Sequence, residues 1–217
     1  MTAGSRGVVF DLDGTLVDSW QLHLCCLRSA VQAVGAGGAS AARLSVAQRP
    51  TDVGTLIALV GEHRVEPALR AYREELDRAL REHPAPAPVV PHAPEVLAAL
   101  RDRGAAVGVC TGRSRADAQA LLDACELDVR LTVAREDAPL PKPAPDGLRL
   151  ALRRLGLRPE EAVYVGDSPA DREQGEAARV RTLLLDRSPS AGGPWASATR
   201  IPDLGCLLKE LGRDAGR

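Results

Sequence analysis

Aromatic side chains are almost missing from this chain. Phe10, Trp20, Tyr72, Tyr164 and Trp195 make up 2% of its 217 residues. That is too few for a surface on which nucleic-acid bases stack. A basic excess is missing too: 28 Lys and Arg stand against 29 Asp and Glu, a formal net charge of −1. This balance favours neither a nucleic acid nor an anionic membrane as partner. The five cysteines, Cys25, Cys26, Cys110, Cys125 and Cys206, are odd in number and show no Cys-x-x-Cys spacing. They argue against a disulfide framework and for free thiols in a reducing compartment. No apolar run approaches the roughly 18 residues of a membrane helix. Asp11 also arrives before any apolar segment long enough for a secretion signal. The expectation is a soluble, cytoplasmic protein. No Gly-x-Gly-x-x-Gly follows an apolar run, which argues against a dinucleotide site. Apolar residues, by contrast, reach 45%, enough for a sizeable core in one large domain or a domain with an insert.

The most informative stretch is Val8-Val9-Phe10-Asp11-Leu12-Asp13-Gly14-Thr15-Leu16-Val17-Asp18-Ser19. Its short apolar start, β-branched and aromatic, predicts a buried strand. Two carboxylates follow, and then a glycine that lets the chain turn sharply. The acids thus fall at the carboxyl end of a strand, where open α/β sheets bind ligands. In an extended segment, side chains at i and i+2 share a face, so Asp11 and Asp13 can point into one small volume. Two such anions about 4 Å apart repel by roughly 4 kcal/mol at an effective dielectric near 20. A cation or a shared proton relieves them. An Asx-type turn at a strand end would explain Asp-x-Asp-Gly alone.

Beyond Ser19 the pattern turns helical. Helical spacing runs over 21–34 and over 66–82, where Leu69, Tyr72, Leu76 and Leu80 form one stripe. A short segment at 44–48 and a helix at 55–60, capped by Thr51 or Asp52, lie between. A proline-rich linker follows from His83 to Pro91. Residues 18–84 therefore read as an inserted helical cap, with 1–17 and 85–217 as the α/β core. From Pro94 onward helices and strands alternate. Strands are expected at 105–110, weakly at 129–134, at 162–165 and at 181–185. Helices are expected at 95–103, 115–125, 146–155, up to 178 and at 204–211, with a Gly/Pro/Ser loop at 188–198. This alternation predicts a parallel sheet with right-handed crossovers and helices on both faces.

Each expected strand end carries functional chemistry. The first ends in Asp11 and Asp13 and the second in Thr111-Gly112. Another ends in Gly166-Asp167, with Asp171 one turn on, and Lys142 sits between two prolines before a helix. Singly, these are an N-cap, a solvated lysine and turn residues. Together, carboxylates, a hydroxyl and one lysine at neighbouring strand ends make a site for a divalent metal and a phosphate.

In that order, Asp11-Leu12-Asp13-Gly14-Thr15, Thr111, Lys142 and Gly166-Asp167-Ser168-Pro169-Ala170-Asp171 resemble the motifs of the haloacid dehalogenase (HAD) superfamily. The place of the insert resembles its helical-cap subgroup, which includes phosphoglycolate phosphatase and β-phosphoglucomutase. The resemblance implies an α/β fold, a Rossmann-like parallel sheet core with an inserted α-helical cap. It also implies a phosphatase acting on a small phosphorylated metabolite with Mg²⁺. Asp11 would be the nucleophile that forms an aspartyl-phosphate. Asp13 would be the general acid and then the general base. Thr111, Gly112 and Lys142 would bind the phosphoryl group. Asp11, the Asp13 backbone carbonyl and Asp167 would ligate the metal, with Asp171 supporting it. The alternatives are a phosphomutase and a catalytically silent binding module. A dehalogenase is disfavoured because those relatives lack the second aspartate, here Asp13. Arg49, at a break between cap helices, is a candidate to reach an anionic substrate. The sequence leaves the substrate and the oligomeric state open.

Overall fold

The chain is organised by a six-stranded sheet in which every pairing is parallel. The structure, a computed structural model, describes residues 6–49, 51–82, 87–186 and 199–214. The strands are β1 (Gly7–Phe10), β2 (Ala106–Cys110), β3 (Thr132–Val133), β4 (Ala162–Gly166), β5 (Arg181–Leu185) and β6 (Thr199–Ile201). They lie in the order β3-β2-β1-β4-β5-β6. Each residue of β1 is buried, as a central parallel strand covered on both faces requires. Alternation along β1 then divides the core. Val8 and Phe10 join the larger apolar cluster, and Val9 joins the smaller one on the opposite face.

Helices cover both faces. On the smaller-cluster side, α7 (Asp146–Leu155) and α8 (Pro169–Ala178) bury Leu148, Ala151, Leu152 and Ala178. On the other side, α5 (Ala93–Asp102) and α6 (Arg115–Ala124) bury Val96, Leu100, Leu121 and Leu122, and α9 (Leu207–Asp214) buries Leu207. Between β1 and α5 the chain forms α1 (Trp20–Ala33), α2 (Ala41–Val46), α3 (Asp52–Val60) and α4 (Val65–Glu82). Ser40 and Thr51 cap α2 and α3, their hydroxyls accepting from Arg43 N and Gly54 N. The two connections of this insert run side by side. Asp18 N donates to Pro88 O at 2.7 Å and Val90 N to Leu16 O at 2.9 Å. Apolar packing is continuous from Phe10 in the sheet to Leu27 of α1 and Tyr72 and Leu76 of α4.

Two expectations need correction. The strand expected at 129–134 shortens to two residues, with Val109 and Cys110 of β2 opposite Thr132 and Val133. It is an edge strand, and short edges limit unwanted pairing. At the other edge, β6 was not foreseen. Thr199 and Arg200 are exposed and only Ile201 is buried, so its sequence carries little strand signal. The expected loop at 188–198 and the start of the linker, 83–86, lie outside the described residues. No helix among the described residues is long and apolar enough to cross a membrane.

Candidate active site

Register brings the strand ends together. Phe10 lies beside Val109 of β2 and Val165 of β4, so the residues that follow emerge along one edge of the sheet. Two glycines let them approach. Gly14 has φ +76°, and a Cβ there would lie 2.0 Å from Asp167 Oδ2. A Cβ on Gly166 would lie 2.4 Å from the Asp171 Cβ. Asp171 is fixed further by the start of α8. Ser168 Oγ accepts from Asp171 N at 3.2 Å. Asp171 Oδ2 in turn accepts from Ser168 N at 3.0 Å and from the Ser168 hydroxyl at 2.6 Å, a capping box whose third residue is an aspartate.

Lys142 enters from the segment before α7 and is itself buried. Its Nζ donates to Asp11 Oδ1 at 2.6 Å and to Asp171 Oδ1 at 2.7 Å. The Tyr164 hydroxyl donates to the same Asp171 oxygen at 2.6 Å. Burial works against the lysine charge, but Asp11 and Asp171 outweigh it and raise the Lys142 pKa. Burial would also raise Asp171, yet Lys142 and the hydrogen bonds from Ser168 and Tyr164 hold it below the ordinary carboxylate range. Asp11 goes the other way. Burial, joined by Asp171, Asp167 and Asp13, pushes it well above that range against the pull of Lys142. The ionised form of Asp11 is thus disfavoured here, and a proton or a further cation would relieve it.

Carboxylate oxygens of Asp11, Asp167 and Asp171 lie within 4.8 Å of one another, the arrangement a cation could occupy. The donors are hard oxygens, which fits Mg²⁺. Thr15 Oγ1 reaches Asp167 Oδ1 at 3.5 Å. The Asp13 side chain stands apart from this group. Arg113, in the turn after β2, donates to Asp13 Oδ1 from Nη2 at 2.6 Å and to both Asp13 oxygens from Nε at 2.9 Å. Ser19 Oγ also donates to Oδ1. Burial would raise Asp13, but the Arg113 charge and these hydrogen bonds hold it below the ordinary range.

A cleft of about 710 Å³ opens over these groups. Asp11, Asp13, Gly112, Lys142 and Asp167 line its sheet side, and Trp20, His23, Gln48, Arg49, Thr51 and Asp52 come from the insert. Thr111 and Asp171 stand behind this lining, with the Thr111 hydroxyl accepting Arg113 N–H at 3.1 Å. All the residues singled out from the sequence therefore gather at one end of the sheet. Arg49 lines the cleft, but its Nη1 donates to the carbonyls of Ala47 at 3.2 Å and Gln48 at 2.7 Å, closing the end of α2.

Sequence reasoning missed Arg113 and His23. His23 Nδ1 pairs with the Tyr72 hydroxyl at 2.7 Å, and its Nε2 lies 3.2 Å from Gln48 Oε1. Burial lowers its pKa despite the nearby Asp52, so the ring is neutral near pH 7. The one local hint for Arg113 was its place directly after Thr111-Gly112. For His23 it was its place one turn into the helix after Ser19.

Known proteins resemble this chain in sequence and in fold. A phosphoglycolate phosphatase of Rhodospirillum rubrum is 33% identical over 203 residues, covering 83% of this chain and 79% of its own. One from Aquifex aeolicus is 30% identical over 187 residues, covering 82% and 84%. Among solved structures, CbbY from Rhodobacter sphaeroides in complex with phosphate superposes with a TM-score of 0.81 at 22% identity, over 98% of this chain and 100% of its own. A HAD phosphatase from Thermococcus onnurineus gives a TM-score of 0.73 at 25% identity, over 95% and 98%. The model of one family matches residues 8–185, from within β1, just before Asp11, to the end of β5, and by that match this chain belongs to the haloacid dehalogenase-like hydrolases.

Proposed function

We propose that this protein is a Mg²⁺-dependent phosphatase that hydrolyses a small phosphomonoester through an aspartyl-phosphate on Asp11. The observation that carries the reading is the buried cluster of Lys142 with Asp11 and Asp171, beside Asp167, at the carboxyl end of the sheet. A lone buried lysine there attracts a phosphoryl group, and the carboxylates beside it supply a nucleophile and cation ligands.

In this mechanism an Asp11 carboxylate oxygen attacks phosphorus, and the bond to the leaving oxygen breaks. Asp13 gives that oxygen its proton. Asp13, now a carboxylate, takes a proton from a water that attacks the aspartyl-phosphate. Inorganic phosphate leaves and Asp11 is regenerated. Lys142, with Thr111 and Gly112, holds the phosphoryl oxygens as charge develops. Asp11, the Asp13 backbone carbonyl and Asp167 would hold Mg²⁺, with Asp171 behind them. The ion would neutralise the charge of the phosphate and the carboxylates.

Residues 1–17 and 85–217 act as the catalytic core, and 18–84 act as a cap that excludes water and contacts the leaving group. The working compartment is the cytoplasm and the partner is a small phosphorylated metabolite. Phosphoglycolate is the first compound to test, given the names of the curated relatives. The experiment is a screen of phosphomonoesters with purified protein, with Mg²⁺ and with EDTA, beside Asp11→Asn. Turnover should require Mg²⁺, and Asp11→Asn should lower kcat by roughly 10⁴-fold or more. Full activity in chelator sinks the metal assignment, and an active Asp11→Asn enzyme sinks the nucleophile.

A further inference from the structure

A chain of hydrogen bonds runs from the core into the insert, and its directions follow from its members. Gln48 Nε2 donates to Leu44 O at 3.1 Å, which leaves Gln48 Oε1 facing His23 Nε2 at 3.2 Å. An amide oxygen only accepts, so His23 Nε2 carries the ring proton. The Nδ1 of the neutral ring is then bare, and the Tyr72 hydroxyl donates to it at 2.7 Å. Arg113 Nη1 donates in turn to the Tyr72 oxygen at 3.4 Å. The Tyr72 proton is thereby spent on His23.

Asp52 is left over. Its Oδ1 lies 3.5 Å from the Tyr72 hydroxyl, whose proton points elsewhere, and 3.7 Å from His23 Nδ1, which has none. Its Oδ2 is buried and has no hydrogen-bond partner among the described residues. The residue is only 8% exposed, yet it belongs to the lining of the cleft, with Gln48, Thr51 and the half-exposed Trp20. A buried polar group without a partner is costly. The cap of α3 does not account for it, because the Thr51 hydroxyl supplies that cap.

We propose that Asp52 is a specificity-determining residue of the insert: it accepts hydrogen bonds from hydroxyls of the leaving group, so the preferred substrates are phosphate esters of uncharged, hydroxyl-rich alcohols, sugars or polyols. The proposal rests on the phosphatase reading above and narrows its substrate class. A hydroxylated leaving group supplies the donor that Asp52 lacks, and Trp20 offers its carbon skeleton an apolar wall. The carboxylate of phosphoglycolate brings only acceptors and a further negative charge, which Asp52 does not satisfy. A site built to pair a hydroxyl discriminates against the analogue without one, because its own polar group stays unpaired.

The test is kcat/KM with Mg²⁺ for p-nitrophenyl phosphate, glycerol 3-phosphate, glucose 6-phosphate, propyl phosphate and phosphoglycolate. The enzymes are wild type, Asp52→Ala and Asp52→Asn. Wild type should favour the better of the two hydroxylated esters over both propyl phosphate and phosphoglycolate by about 10-fold or more. Asp52→Ala should lower the ratio of that ester to propyl phosphate by about 10-fold or more. Asp52→Asn keeps one acceptor oxygen and should lower it less. A purely structural Asp52 would depress all substrates alike and leave the ratio where it was. A wild type that prefers propyl phosphate or phosphoglycolate overturns the proposal, as does an unchanged ratio in Asp52→Ala. If none of the five esters, p-nitrophenyl phosphate included, is turned over with Mg²⁺, the phosphatase reading itself falls and takes the proposal with it. Should Asp52→Ala fail to fold, as a thermal melt would reveal, the wild-type ranking and Asp52→Asn decide the matter.

Discussion

Replacing Lys142 by Met keeps most of the apolar stem and removes the charge that two buried carboxylates share. In the structure the Lys142 ammonium lies 2.6 Å from Asp11 and 2.7 Å from Asp171. Without it, carboxylate oxygens at most 4.8 Å apart face each other. At that separation and an effective dielectric near 20, two unit charges repel by roughly 3.5 kcal/mol. Loss of one partner from a buried ion pair costs about 3–5 kcal/mol, in agreement. The penalty has a ceiling, because a carboxylate can take up a proton instead. In the variant the folded carboxylate pKa stands above the unfolded value. The folded state then binds more protons than the unfolded state, and stability falls as pH rises through that window. The loss is therefore full at alkaline pH and shrinks toward acid pH. Urea unfolding in EDTA at pH 8 should show a deficit of about 3–5 kcal/mol against wild type, or about 6–20 °C in Tm for a domain of this size. At pH 5.5 the deficit should be clearly smaller. A deficit below about 1 kcal/mol at pH 8, or one equal at both pH values, would refute the reasoning.

Gly14→Ala should damage the site more than the fold. The left-handed backbone at φ +76° costs roughly 1–2 kcal/mol once a Cβ is present. The same Cβ, 2.0 Å from Asp167 Oδ2, must drive that carboxylate more than 1 Å away to reach ordinary contact at 3.4 Å. Displacements of about 1 Å cost on the order of 10²-fold in rate, so kcat should drop by that factor; wild-type turnover in a folded variant contradicts the close approach. His23→Gln should flatten the loss of stability with acid. Burial depresses the folded His23 pKa, so below about pH 6.5 the unfolded state takes up the proton first. Wild type then loses up to about 1.4 kcal/mol per pH unit as pH falls. Unfolding free energies at pH 7 and 5.5 check this, and an equal slope in the variant removes His23 as its source.

Much of the molecule was legible in the chain because its signals are local. The apolar run of β1 followed at once by Asp11, Asp13 and Gly14 marks a strand end bearing acids. Leu69, Tyr72, Leu76 and Leu80 mark one face of α4, and Gly156, at φ +66°, marks the end of α7. The alternation of helix and strand after Pro94 implies a parallel sheet, and a parallel sheet places all its carboxyl ends on one side. That is why Asp11, Thr111, Asp167 and Asp171 read as one group, whereas Lys142, between two prolines before a helix, joins them through the order of motifs that resembles the family. The short edges β3 and β6 were not, since pairing with a neighbour holds them in place more than their own sequence does.

Local pattern decides which residues reach the end of the sheet; only tertiary structure decides which side chains they meet. Arg113 and Asp13 are 100 residues apart, so no local pattern links them. Their grip exists because β2 lies beside β1 and because Tyr72 of α4 packs against the guanidinium. Arg49 shows the converse, since a cation that looked free to meet a substrate donates to carbonyls of its own turn. A hydrogen bond depends on distance and angle in space. A chain of amino acids sets those only for near neighbours, and the fold sets the rest.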